Sequence, residues 1–140
     1  MEIVDTSLES VKIITPKRIS DKRGFFSETW NLSRFIEAGI EYNFVQDNHS
    51  FSKHVGTIRG LHFQAPPYAQ AKLVSCFRGK IMDMAVDIRH NSNTFGQWCG
   101  VELSAKNGRH LLIPEGFLHG FITRDPDTEV IYKCSNYYAP

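Results

Sequence analysis

The sequence predicts an all-β domain, either a sandwich or a barrel, on three observations. Short segments rich in β-branched and aromatic residues recur along the chain, turn signals separate them, and only one stretch has helical spacing. The β-type segments are residues 11–14, 25–30, 44–48, 57–63, 72–77, 80–88, 98–103, 109–113, 119–123 and 129–134. Between them lie Asp21-Lys-Arg-Gly24, Pro66-Pro67, Arg78-Gly79, Lys106-Asn-Gly108 and Pro114-Glu-Gly116, where glycine or proline turns the chain. Residues 32–38 read as one short helix, with Asn31 as cap, Leu32, Phe35 and Ile36 as apolar stripe and Gly39 as stop.

Alternation along a strand says which side chains share a face. Over residues 80–88, Met82, Met84, Val86 and Ile88 share one face and Asp83, Ala85 and Asp87 the other, so two carboxylates stand opposite an apolar row. Over residues 57–63 a regular strand separates Arg59 from His62, and a bulge or bend at Gly60 would reunite them.

A chain of 140 residues fits one domain, residues 1–140, and can bury roughly two-thirds of its unfolded surface. Sixteen Lys and Arg against fifteen Asp and Glu leave a net charge of +1, which argues against nucleic acid or membrane as partner. Any anionic ligand must then be caught by local cations. The three cysteines, Cys76, Cys99 and Cys134, lack Cys-x-x-Cys spacing and read as buried, reduced thiols. With acidic residues at the N-terminus and no apolar run near the roughly 20 residues of a membrane span, the chain reads as soluble and cytoplasmic.

The segment Arg59-Gly-Leu-His-Phe-Gln64 sets a base, a cation and an amide beside a glycine in an apolar strand, a grouping suited to a carbonyl substrate. His62 is the candidate general base, because imidazole is largely neutral near pH 7 and can accept a proton. Lys72 begins an apolar strand and can set an ammonium beside an oxygen that becomes negative; its ordinary alternative is a surface lysine. Tyr132, flanked by apolar residues, is either a core phenol needing a partner or a proton donor. His119 has Gly120 beside it and Gly116 before it, so it either meets a phosphate or sugar oxygen or plugs a turn.

Arg23 with Phe26 and Glu28, and Gln46 with Asn48, form a second kit: a guanidinium for phosphate, a ring for stacking and amides for a pyrimidine edge. Each is also readable as a turn or a polar strand end. Six histidines raise the question of a metal, but Leu61-His62-Phe63 lacks the His-x-His pair such barrels present, so no metal is expected.

In order along the chain, Asp21-x-Arg-Gly-Phe-Phe-x-Glu28, Val45-Gln-Asp-Asn-His-Ser50, Arg59-Gly-Leu-His-Phe-Gln64, Ala71-Lys-Leu-Val74, Ala85-Val-Asp-Ile-Arg89, Thr94-Phe-Gly-Gln-Trp98, Ile113-Pro-Glu-Gly-Phe-x-His-Gly-Phe121 and Tyr132-Lys-x-x-Asn-Tyr-Tyr138 resemble the dTDP-4-dehydrorhamnose 3,5-epimerase family. The resemblance implies a cupin-like jelly roll, a homodimer, that epimerises a dTDP-sugar at C3 and C5 without metal or organic cofactor on the way to dTDP-L-rhamnose. Carried over by motif, His62 is the base, Tyr132 the acid on the opposite face and Lys72 the stabiliser of the enolate oxygen. Arg59 and His119 then hold the diphosphate and sugar, and Arg23, Phe26, Glu28, Gln46, Asn48 and Tyr138 bind the nucleotide. Family members continue beyond Tyr137-Tyr-Ala-Pro140 with a tail whose aspartate orients the catalytic histidine, so a domain lacking that tail is expected here, with Asp83 the candidate replacement. The rival expectations are an epimerase acting at one carbon only and a non-catalytic sugar-nucleotide binding domain.

Overall fold

The computed structural model describes all 140 residues, Met1–Pro140. Its strands are β1 (Glu2–Asp5), β2 (Lys12–Thr15), β3 (Arg18–Asp21), β4 (Gly24–Ser27), β5 (Gln46–Ser52), β6 (Ile58–His62), β7 (Lys72–Arg78), β8 (Lys80–Asp87), β9 (Trp98–Ser104), β10 (His110–Ile113), β11 (Phe117–Thr123) and β12 (Thr128–Cys134), with one helix, α1 (Leu32–Glu37). Two antiparallel sheets, ordered β1-β2-β10-β7-β12-β5 and β6-β11-β8-β9, form a jelly roll, and β3 and β4 pair as a separate ribbon.

The main core includes Leu8, Val74, Ile81, Leu103, Leu111 and Val130, all without solvent exposure. Burying each such side chain stabilises the fold by about 1.5–3 kcal/mol before conformational entropy is charged. A smaller core of Ile14, Phe35, Ile40, Leu73 and Leu112 sits under α1, where the Trp30 ring lies 4.4 Å from that of Phe35.

Helix α1 is a residue shorter than the expected 32–38, since Ala38 is its C-cap; Asn31 does cap it, accepting from Arg34 N at 3.2 Å. Its expected stripe is corrected: only Phe35 is buried, while Leu32 and Ile36 are exposed. Fewer than two turns present too narrow a face to bury three side chains. Strands β1 and β3 were outside the sequence expectation, because Glu2–Asp5 and Arg18–Asp21 are largely exposed and show no apolar alternation. Strand β5 begins at Gln46 and runs on to Ser52, polar but for the exposed Phe51, rather than spanning 44–48.

The alternation along β8 holds, and its carboxylate face is the buried one. Ile81, Asp83, Ala85 and Asp87 point inward, whereas Met82, Met84 and Val86 are only partly buried. Asp87 is satisfied there by Arg89 at 3.0 Å and by the Ser92 and Thr94 hydroxyls at 2.5 Å, which hold its carboxyl well below the usual carboxylate range and fold the 89–94 loop over it. The three cysteines are buried and free, and burial pushes the Cys76 thiol up to about 11. No helix is long and apolar enough to cross a membrane.

Candidate active site

The edge strands of the two sheets, β5 and β6, flank a cavity of about 370 Å³. His62, Arg59, Lys72, His119 and Tyr132 all line it, with Ser50, Gly120 and Phe121. His62 belongs to the four-stranded sheet and Tyr132 to the six-stranded one, so imidazole and phenol enter one space from opposing walls.

The expected irregularity at Gly60 is present. His62 pairs with His119, yet Arg59 pairs with Phe121, so β6 uses three steps where β11 uses two. The extra residue is a bulge, and it turns Arg59 and His62 toward the same cavity. Two glycines permit the contact: a Cβ on Gly60, whose φ is 101°, would lie 2.6 Å from the His119 carbonyl oxygen, and one on Gly120 would lie 2.7 Å from that of Arg59. Arg59 then ties the sheets together by donating to Phe51 O at 2.8 Å and Ser52 Oγ at 3.1 Å.

Lys72 enters from β7 with its ammonium 5.7 Å from the centre of the Tyr132 ring. Burial lowers its pKa, opposed by the charges of Cys134 and Asp83. Burial raises the Tyr132 pKa, as does Cys134, while Asn48 and Arg59 act the other way. The phenol is therefore held protonated, able to donate, and the amine is a cation more readily discharged than a surface lysine.

Asp83 does not orient His62. Its Oδ1 lies 2.6 Å from Nε2 of His119, with both side chains buried, because the β8–β11 register sets Asp83 opposite Phe121 and His119 opposite Ala85 on the same inward face. His62 itself has no protein hydrogen-bond partner among the side-chain bonds, and it is exposed. The His119 ring lies 6.4 Å from that of Tyr132, edge-on, so a buried histidine–carboxylate pair stands directly behind the phenol.

Gln46, Asn48 and Tyr138 do not line the cavity but cluster at the start of β5, where Asn48 stands opposite Tyr132. Gln46 donates to Asn48 Oδ1 at 3.1 Å and accepts from Tyr138 N at 3.0 Å, which leaves the Tyr138 ring exposed. Gln64 lies outside the cavity and instead staples the C-terminal segment, donating to Tyr137 O and accepting from Ala139 N. Arg23, Phe26 and Glu28 are not brought to this cavity: Arg23 pairs with Asp21 at 2.6 Å in the β3–β4 turn, and Phe26 and Glu28 face a separate hollow with Arg34. Sequence reasoning missed Ser50 as a cavity residue, although its parity with Gln46 and Asn48 was a usable signal. No three His, Cys, Asp or Glu side chains gather into a metal-ligand set.

A jelly roll whose cavity brings an imidazole and a phenol together from facing sheets, with a lysine and an arginine in its lining, defines the class: a small-ligand protein equipped for acid–base chemistry. The family model described as dTDP-4-dehydrorhamnose 3,5-epimerase matches residues 5–140. A dTDP-4-dehydrorhamnose 3,5-epimerase of Shigella flexneri is 51% identical over 140 residues, covering 99% of this chain and 77% of its own length. The crystal structure of such an enzyme from Bacillus anthracis, with TDP and PPi bound, superposes with a TM-score of 0.97 at 47% identity over 99% of this chain and 79% of that one. A dTDP-6-deoxy-D-glucose-3,5-epimerase from Legionella pneumophila, in complex with dTDP-4-keto-L-rhamnose, gives 0.95 at 48% identity over 99% and 73%. The chain belongs to the dTDP-4-dehydrorhamnose 3,5-epimerase family.

Proposed function

We propose that the chain epimerises dTDP-4-dehydro-6-deoxy-D-glucose at C3 and C5. His62 takes the proton from the carbon next to the C4 ketone, the electron pair moves onto the ketone oxygen, and the Lys72 ammonium stabilises that enolate. Tyr132 returns a proton to the same carbon from the other face, inverting it, and solvent resets both groups. Both stereocentres flank one carbonyl, so one base and one acid serve each in turn. The observation that carries this reading is the entry of His62 and Tyr132 into one cavity from opposing sheets, with Lys72 beside the phenol.

Arg59 and His119 hold the diphosphate and sugar in this reading, and Gln46, Asn48 and Tyr138 the nucleotide. Arg23, Phe26 and Glu28 fit the same nucleotide only if a second copy supplies them, which favours a homodimer; the apolar outer face of the four-stranded sheet, with Met82, Met84, Val86 and exposed Trp98, supports it. The rival reading is a non-catalytic sugar-nucleotide binder.

Two variants separate the readings. His62→Ala should lose product formation and proton exchange alike, whereas Tyr132→Phe should still exchange solvent hydrogen but invert poorly. A wild-type chain that binds dTDP and exchanges nothing selects the binder, and equal loss of exchange in both variants contradicts the separate roles.

A further inference from the structure

Of the buried side-chain nitrogens and oxygens, two have no hydrogen-bond partner: Asp83 Oδ2 and the Ser50 hydroxyl. Such atoms are almost always paired in folded proteins, so an orphan in a cavity wall marks a group whose partner comes from elsewhere. Strand β5 explains how Ser50 becomes one. Its inward row is Gln46, Asn48, Ser50 and Ser52, polar throughout, in register with Cys134, Tyr132, Val130 and Thr128 of β12. Gln46 bonds Asn48, Asn48 reaches Cys134 Sγ at 3.6 Å, and Ser52 accepts from Arg59. Ser50 faces only the apolar Val130, which offers its hydroxyl nothing.

Neighbours decide the kind of ligand. Gln46 and Tyr138 lie at one end of the row, and Arg59 at the other is the cation suited to phosphate. Ser50 lies between them, in the wall it shares with Lys72 and Tyr132, and His62 enters the same cavity from the other sheet. A neutral hydroxyl there, both donor and acceptor, suits the neutral oxygens of a sugar ring. We propose that Ser50 is a substrate-contacting residue whose hydroxyl bonds a hydroxyl or carbonyl oxygen of the hexose, and so helps set which sugar the cavity accepts. This rests on the epimerase reading given above. A site built to bond a sugar oxygen rejects an analogue that lacks it, since its own polar group is then left unpaired.

Ser50→Ala tests this without endangering the fold, because it removes an unpaired polar atom and no native hydrogen bond. The expected result is a fall of about 5- to 15-fold in kcat/KM for the dTDP-4-dehydro sugar, with Kd for dTDP alone unchanged. The Tm of the free variant should equal or exceed that of the wild type. An unchanged kcat/KM overturns the proposal, as does an equal loss of affinity for dTDP, which would mark a diphosphate contact, or a drop in Tm, which would mark a structural bond. If the wild type turns over no substrate, the epimerase reading is what has failed. Calorimetry with dTDP-glucose then still tests Ser50: a similar loss of affinity supports the contact, and equal affinity rejects it.

Discussion

Asp83 is the residue whose role depends most on tertiary context. A carboxyl is an uncommon choice for a core position, yet this one is wholly buried and holds His119 by one oxygen while the other has no partner. Removing one member of a buried hydrogen-bonded pair strands the other, so Asp83→Ala should lower stability by about 3–5 kcal/mol in denaturant unfolding. A loss within about 0.5 kcal/mol, the range of an ordinary surface substitution, would mean that the pair holds little. Lys72 should show its burial in the pH dependence of the reaction. Because burial lowers its pKa, the rate of enolate formation should begin to fall at a lower pH than an ordinary lysine would dictate, as the ammonium is lost on raising pH. Tyr132, shifted upward, should remain a donor through the same range. An alkaline limb that persists unmoved in Lys72→Arg would assign it to another group.

At the scale of elements, the site depends on the bulge in β6. Gly60→Ala would drive a Cβ to 2.6 Å from the His119 carbonyl and 2.8 Å from the Gly120 Cα, both backbone atoms, at a φ of 101° that L-residues rarely adopt. Strand β6 should then withdraw from β11, and a displacement of about 1 Å at His62 is enough to slow turnover on the order of 100-fold. Full activity in Gly60→Ala would show that the close approach is not needed. Much of this element was legible beforehand: the glycine, the parity conflict between Arg59 and His62 and the bulge that resolves it all follow from period two. The partner of Asp83 was not, because parity gives the face of a side chain but not the strand across from it. The same gap hid Ser50, which lies in an uninterrupted polar run whose burial comes from β12 alone. The α1 stripe misled in the opposite sense, since apolar spacing cannot tell how much core awaits a helix of six residues.

For the molecule as a whole, two consequences follow. His110 is buried against Ser75, its Nδ1 2.6 Å from the hydroxyl, and burial together with Arg18 lowers its pKa to about 4. The unfolded chain therefore binds a proton near pH 6.5 that the folded one refuses until about 4, so stability falls as pH drops through that window, by up to about 3 kcal/mol. Urea unfolding between pH 4 and 7 should show the slope, and His110→Gln should flatten it; an identical slope in the variant would assign it to other groups. The second consequence concerns assembly. If the β3–β4 ribbon serves a second copy, the chain should sediment as a dimer, and Phe26→Ala should weaken dTDP binding although Phe26 is remote from its own cavity. The central claim is two-sided proton transfer at both carbons beside one ketone. Incubating the protein with dTDP-4-dehydro-6-deoxy-D-glucose in deuterium oxide and counting deuterium by NMR tests it directly: uptake at both C3 and C5 is the predicted result, and product free of deuterium at either position would contradict it.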